Sequence, residues 1–171
     1  MKLNLGCGDN LVEGFLNIDK FDDAADMKMD MADVDFDDES VDEIVIYQAL
    51  EHVPWHQTDK ILTNCFRMLR KGGKLTVEVP DIGYVAQKIC EEGISQKWHD
   101  NIYGGYHRPW DRLRYKDAEF HQGSIHYQGF DWTKLRNALL FAGFEDVVKN
   151  PMEKKHPDYQ YEENLSVTAT K

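Results

Sequence analysis

Leu3-Asn4-Leu5-Gly6-Cys7-Gly8-Asp9 is a short apolar strand that runs directly into a glycine turn. Glycines at positions 6 and 8 let the backbone pass close to a ligand, because side chains there would collide with it. A GxG by itself also suits an ordinary tight turn, so its neighbours decide its meaning. A second strand, Phe15 to Ile18, ends in Asp19. So few residues separate Gly8 from Asp19 that a full phosphate-binding helix hardly fits between the two strands. Position 11, where the dinucleotide fingerprint asks for a third glycine, is Leu11. A nucleoside without a pyrophosphate therefore suits this turn better than NAD does.

Further strands read at Met27 to Met31, at Glu43 to Tyr47 with its continuous Ile44-Val45-Ile46, and at Lys74 to Val79. From Thr58 to Lys71 the apolar positions Ile61, Leu62, Cys65, Met68 and Leu69 recur at helical spacing, with Gly72-Gly73 as the stop. Asp81 can cap a helix through Ile82, Val85, Ala86 and Ile89 to Gly93, and Asp131 one through Leu135 and Leu139 to Gly143. Phe144 to Lys149 and Leu165 to Thr170 complete the strands. Alternating strands and helices imply a parallel, doubly wound α/β sheet, whose ligands sit at the carboxyl ends of the strands. The segment from about 94 to 130 has no clean period and is rich in Tyr, His, Trp and Gly. It reads as an excursion that covers or builds a binding site.

The whole chain, 171 residues, suits one domain. Its net charge of −11 disfavours grip on nucleic acid through phosphates, and Arg67, Arg70, Lys71 and Lys74 suit the end of a helix. No apolar stretch is long enough for a bilayer and the start lacks a signal-peptide core, so the expectation is a cytoplasmic protein without a membrane partner. Three cysteines, Cys7, Cys65 and Cys90, without CxxC spacing indicate neither a disulfide framework nor a zinc knuckle.

In order along the chain stand the glycine turn, then Gly14-Phe15-Leu16-Asn17-Ile18-Asp19, then the acidic run from Asp30-Met31-Ala32-Asp33 to Asp42. Ala49-Leu50-Glu51-His52-Val53, Phe66-Arg67-Met68-Leu69-Arg70-Lys71-Gly72-Gly73 and Ala142-Gly143-Phe144 follow. Together they resemble the successive signatures of class I S-adenosylmethionine-dependent methyltransferases, nearest to the type 11 group. The resemblance implies a Rossmann-like, mostly parallel seven-stranded sheet with the last strand antiparallel. It implies S-adenosylmethionine as cofactor and S-adenosylhomocysteine as product.

Carried over residue by residue, Gly6 and Gly8 would line the methionine part, Asp19 the ribose, Asp30 and Met31 the adenine, and Tyr47 or Gln48 the region beside the sulfonium. Cys7 and Lys20 complete the expected cofactor-binding set. The chain departs from the family at Asn4, where an acid is frequent, and at Asn10, where a third glycine is frequent; a looser or rearranged methionine end is expected. The usual helix ahead of the first strand is also missing. Its covering role falls to the segment 94 to 130 or to a partner subunit, which admits a homodimer.

The cofactor is already an activated methyl donor, so the protein's task is to align donor and acceptor and exclude water. An acceptor hydroxyl or amine can also need a base. His52, just after the fourth strand, and His126, before the penultimate helix, are the expected catalytic residues; His107 and His121 have weaker claims. His52 and His56 are four apart beside Glu51, but Pro54 interrupts any helix that would align them, and no metal is expected. The expected acceptor is a small molecule or a glycan, methylated on oxygen or nitrogen. RNA or protein methylation and a non-catalytic cofactor-binding module are the alternatives.

Overall fold

A computed structural model of the chain describes residues 1–104, 124–151 and 163–171. Its strands are β1 (Lys2–Leu5), β2 (Leu16–Asp19), β3 (Met27–Lys28), β4 (Val41–Tyr47), β5 (Leu69–Pro80), β6 (Glu145–Lys149) and β7 (Asn164–Thr170). They form one sheet in the order β3-β2-β1-β4-β5-β7-β6. The pairs among β1 to β5 are parallel, while β7 runs antiparallel to both β5 and β6. The last strand is thus antiparallel, as the resemblance implied. From β1 the chain winds outward to β2 and β3, then returns to lay down β4 and β5 on the other side. The order reverses between β1 and β4, so the crevice at their carboxyl ends is where such a sheet holds a ligand.

Burial explains why these segments pair. Leu3, Leu5, Ile44, Ile46, Val77, Val79, Leu165 and Val167 are fully buried, as strands with helices packed over them require. Helix α1 (Trp55–Met68) covers them with Ile61, Leu62, Cys65 and Met68, spaced by one turn. Helix α4 (Trp132–Phe141) adds Leu135 and Leu139, and Phe144 meets Phe66 edge to face with ring centres 5.2 Å apart. Asp131 caps α4 through the Lys134 N–H, and Asp81 caps α2 (Ile82–Glu92) through those of Gly83 and Tyr84. Within α2 only Val85 is fully buried, whereas Ala86 is exposed.

Three elements differ from the expectation. Helix α1 ends at Met68, not Lys71, because fully buried Leu69 turns extended and pairs with Val41. Lys71-Gly72-Gly73 therefore lies within β5, in an irregularity where five steps of β5 span two of β4. Gly72 N–H donates to the Lys171 carbonyl at 2.7 Å, and Lys171 N–H to that of Gly73 at 3.0 Å. The third strand covers only Met27–Lys28, since the Asp30 carboxylate accepts from the Ala32 N–H and bends residues 31–33 into a 3-10 turn. Inside the supposedly aperiodic segment, Ser95 caps helix α3 (Gln96–Tyr103), whose Trp98 is buried near Tyr84. Residues 105–123, with His107, His121 and several of its aromatics, lie outside the described residues.

Candidate functional site

Residues 6–15 make turns and no helix, in line with the short spacing between the first two strands. Gly6 has φ +69°, and a Cβ there would lie 2.5 Å from Ala49 Cβ and 2.7 Å from Met31 Cε. Gly6 just past β1, Met31 three residues past β3 and Ala49 after Gln48 thus meet on the one atom that glycine omits. Gly8, at φ +49°, differs: an added Cβ would have nothing within 4 Å, so this face of the turn opens onto free space.

Asp19 ends β2 and braces the turn. Its Oδ2 accepts from Gly8 N–H at 2.9 Å, and its Oδ1 from the N–H groups of Phe21 and Asp22 at 2.7 and 2.9 Å. A carboxylate has about four lone-pair sites. Oδ2, with a single bond, is therefore the oxygen with capacity left. Lys20 Nζ reaches Asp30 Oδ2 at 3.0 Å, tying the end of β2 to the 3-10 turn that carries half-buried Met31. Gly6, Gly8, Asp19, Lys20, Asp30 and Met31 are thus joined into one rim. Cys7 is buried beneath it, and burial, with Asp19 and Asp22 nearby, pushes its thiol up to about 12.

On the β4 side, Tyr47 is half-buried opposite Glu78, and burial followed by the charges of Glu78 and Glu43 raises its phenol. Gln48 follows in a left-handed conformation, φ +50°, with its N–H on the Glu78 carbonyl. A non-glycine residue held there marks a constrained corner of the crevice.

Asn4, where the chain departs from the family, is built into the scaffold. Its Nδ2 donates to the Asn10 carbonyl and to Asn17 Oδ1, both at 2.9 Å. Asn17 in turn binds Val12 and Asp26, which fixes the whole connection between β1 and β2.

Beyond Gln48 the chain forms a 3-10 turn, Leu50–His52, and the returning segment 124–130 closes over it. Tyr127 N–H donates to the Glu51 carbonyl at 2.9 Å, and the Gln128 amide reaches the Leu50 and Val53 carbonyls and Thr58 Oγ1. The two expected catalytic histidines are brought together: the rings of His52 and His126 meet edge to face, with centres 4.8 Å apart. Burial lowers both imidazoles, that of His52 to about 4 with His126 contributing, so both are uncharged near neutral pH. Beside them lies Glu51, 2% exposed, which burial, followed by Glu78, pushes up to about 8. His56, by contrast, sits on α1 and does not share a helix with His52.

Glu51 and Gln128 were missed as organisers by reasoning on the sequence. Glu51 carried a local signal, being adjacent to His52. Gln128 had none, because the acceptors of its amide nitrogen lie seventy or more positions earlier in the chain.

The crevice at the β1–β4 reversal, with its open glycine turn braced by the Asp19 carboxylate, is the candidate ligand site. Residues 3–77 match the family model described as Methyltransferase domain. The residues of the crevice fit S-adenosylmethionine: Gly6 closes the floor while Gly8 leaves free space above the turn.

Solved structures share the fold. A SAM-dependent methyltransferase from Archaeoglobus fulgidus is 14% identical, with a TM-score of 0.64 over 99% of this chain and 85% of that one. A possible histamine N-methyltransferase from Thermotoga maritima is 15% identical, with a TM-score of 0.59 over 99% and 81%. The 1,6-didemethyltoxoflavin-N1-methyltransferase of Burkholderia thailandensis, solved with its namesake compound and S-adenosylhomocysteine, is 15% identical, with a TM-score of 0.57 over 99% and 70%. A search of curated proteins finds no match. Among the described residues no helix is long and apolar enough to cross a membrane.

Proposed function

We propose that this methyltransferase acts on an oxygen or nitrogen of a small polar molecule or a glycan. On this reading the adenosine lies along the rim from Asp19 to Met31. Asp19 Oδ2 takes a ribose hydroxyl with its remaining lone pair, and Asp30 with Met31 takes the adenine. The turn at Gly6, Cys7 and Gly8 passes under the methionine part, and Tyr47 and Gln48 flank the sulfonium.

The bound cofactor supplies an electrophilic methyl group that leaves with its bonding pair going back to sulfur. The protein's share is alignment, exclusion of water and acceptance of a proton. His52 and His126 stand at the acceptor's side, and the cap of residues 124–130 shields them.

The observation that carries the reading is the close approach of Ala49 and Met31 to Gly6, where a Cβ would lie 2.5 and 2.7 Å from them. It joins the two sides of the crevice into one site, since Ala49 also accepts the His52 N–H at 3.2 Å. The small-molecule choice draws support from the chain's charge of −11, unsuited to phosphate backbones. The Burkholderia neighbour, an N1-methyltransferase solved with 1,6-didemethyltoxoflavin, offers a precedent.

Calorimetry with S-adenosylmethionine, S-adenosylhomocysteine and NAD tests the cofactor site. The first two should bind with one equivalent each and NAD should not. Release of S-adenosylhomocysteine over a panel of hydroxylated and amino small molecules, oligosaccharides, RNA and peptides then tests the acceptor class. Turnover confined to RNA or peptides would overturn it.

A further inference from the structure

Glu51 is placed where a carboxylate ordinarily needs a partner. It is 2% exposed, and neither of its oxygens has a hydrogen-bond partner on another described residue. A buried polar group left in this state calls for an explanation such as an ion. What faces it are two imidazoles. One potential ligand atom from each of Glu51, His52 and His126 lies within 4.8 Å of the others, and His52 Nε2 stands 4.0 Å from Glu51 Oε1.

The histidine tautomers follow from their outer contacts. His52 Nδ1 lies 3.1 Å from the Ile125 carbonyl oxygen, and His126 Nδ1 lies 3.0 Å from that of Asn101. A carbonyl oxygen only accepts, so each Nδ1 carries the proton and each Nε2 keeps its lone pair. An imidazole whose outer N–H is held by a main-chain carbonyl is oriented in the manner of metal-binding histidines. The three groups come from two chain segments that the Tyr127 N–H and the Gln128 amide already clamp together. Metal–ligand bonds of about 2.1 Å put neighbouring ligand atoms roughly 3 to 3.5 Å apart, so loading would draw the three side chains inward by about 1 Å.

We propose that Glu51, His52 and His126 bind a divalent first-row transition metal through one carboxylate oxygen and two Nε2 atoms. Two imidazoles with one carboxylate favour zinc, manganese, cobalt or ferrous iron over magnesium or calcium, whose ligands are oxygens. Three protein ligands leave at least one open position. If the acceptor lies where the preceding reading puts it, its hydroxyl or amine can occupy that position and lose its proton more readily. This last step rests on that reading, whereas metal binding itself does not.

The full chain, stripped with a chelator, is titrated with Co2+, Zn2+ and Mn2+ by equilibrium dialysis, and with Co2+ also by its visible absorption. One equivalent should bind and raise the melting temperature. Glu51→Gln, which keeps the shape of the side chain, and His126→Ala should each weaken binding about tenfold or more. Circular dichroism checks that the variants fold.

No stoichiometric binding of any of the three ions overturns the proposal, as does unchanged affinity in both folded variants. S-adenosylmethionine calorimetry on the same stripped protein separates the two readings. Cofactor binding without metal binding refutes the metal site alone, and metal binding without cofactor binding refutes the placement of the adenosine rim.

Discussion

Replacing Gly8 by Ala should leave a folded protein that has lost much of its affinity for S-adenosylmethionine. The folding cost comes from the backbone, since φ +49° in an L-residue costs roughly 1–2 kcal/mol and the added methyl meets nothing in the protein. In a chain of this size each kcal/mol lowers Tm by about 2–4 °C, which gives a fall of about 2–8 °C. The methyl would instead enter the space assigned to the cofactor. Crowding of one methyl against a fitted surface costs about 1–3 kcal/mol, equivalent to a loss of about 5- to 150-fold in affinity.

Gly6→Ala is the contrasting variant. Its φ of +69° carries the same strain, and its methyl would sit 2.5 Å from Ala49 Cβ. Met31 can swing its flexible end aside, but Ala49 cannot. The sum, about 2–5 kcal/mol, is a large part of an ordinary domain's stability, so soluble folded protein should be scarce. Thermal scans and calorimetry on both variants decide the matter. A Gly8→Ala protein that binds S-adenosylmethionine with wild-type affinity would refute the reasoning, and so would equal stability of the two variants.

Asp19→Asn should reduce affinity for S-adenosylmethionine about tenfold or more in calorimetry, because an amide cannot accept at both oxygens as Asp19 does from Gly8, Phe21 and Asp22. Asn4→Asp, which restores the acid frequent in the family, should destabilise by about 1–3 kcal/mol, since it sets a carboxylate oxygen against the Asn10 carbonyl and Asn17 Oδ1. Burial among acceptors would raise that new acid's pKa in the folded chain above its unfolded value. The variant's deficit in urea unfolding should accordingly be smallest at acid pH and grow as pH rises through neutrality. Brief alkylation of the native protein near pH 8 should modify exposed Cys90 first, because burial pushes the thiols of Cys7 and Cys65 up to about 12. Peptide mass mapping reads the order.

The sequence carried the parallel sheet and its ligand end because Ile44–Ile46 is a continuous apolar run, as strands buried on both faces require, and because Leu3 to Leu5 runs straight into a glycine turn. Asp81, Asp131 and Gly93 marked helix ends through local chemistry that any window of a few residues contains. The end of α1 was illegible for the opposite reason. Leu69 fits the helical stripe, and only its pairing with Val41, far off in the chain, pulls it into β5. The role of Asn4 depends on Asn17 across the β1–β2 pair, and a buried amide network leaves no periodicity to read. The meeting of His52 with His126 likewise comes from the return of residues 124–130 over the Leu50–His52 turn, a contact between distant segments. Glycine spacing could suggest that a nucleoside binds; it could not show that a buried carboxylate stands beside the two imidazoles.

A crystal structure of the full chain with S-adenosylhomocysteine tests the central claim most directly. The account predicts the ribose on Asp19 Oδ2, the adenine between Asp30 and Met31, and the amino-acid end over the open face of Gly8. Adenosine bound away from the β1–β4 crevice, or a turn at Gly8 that the ligand does not touch, would contradict it.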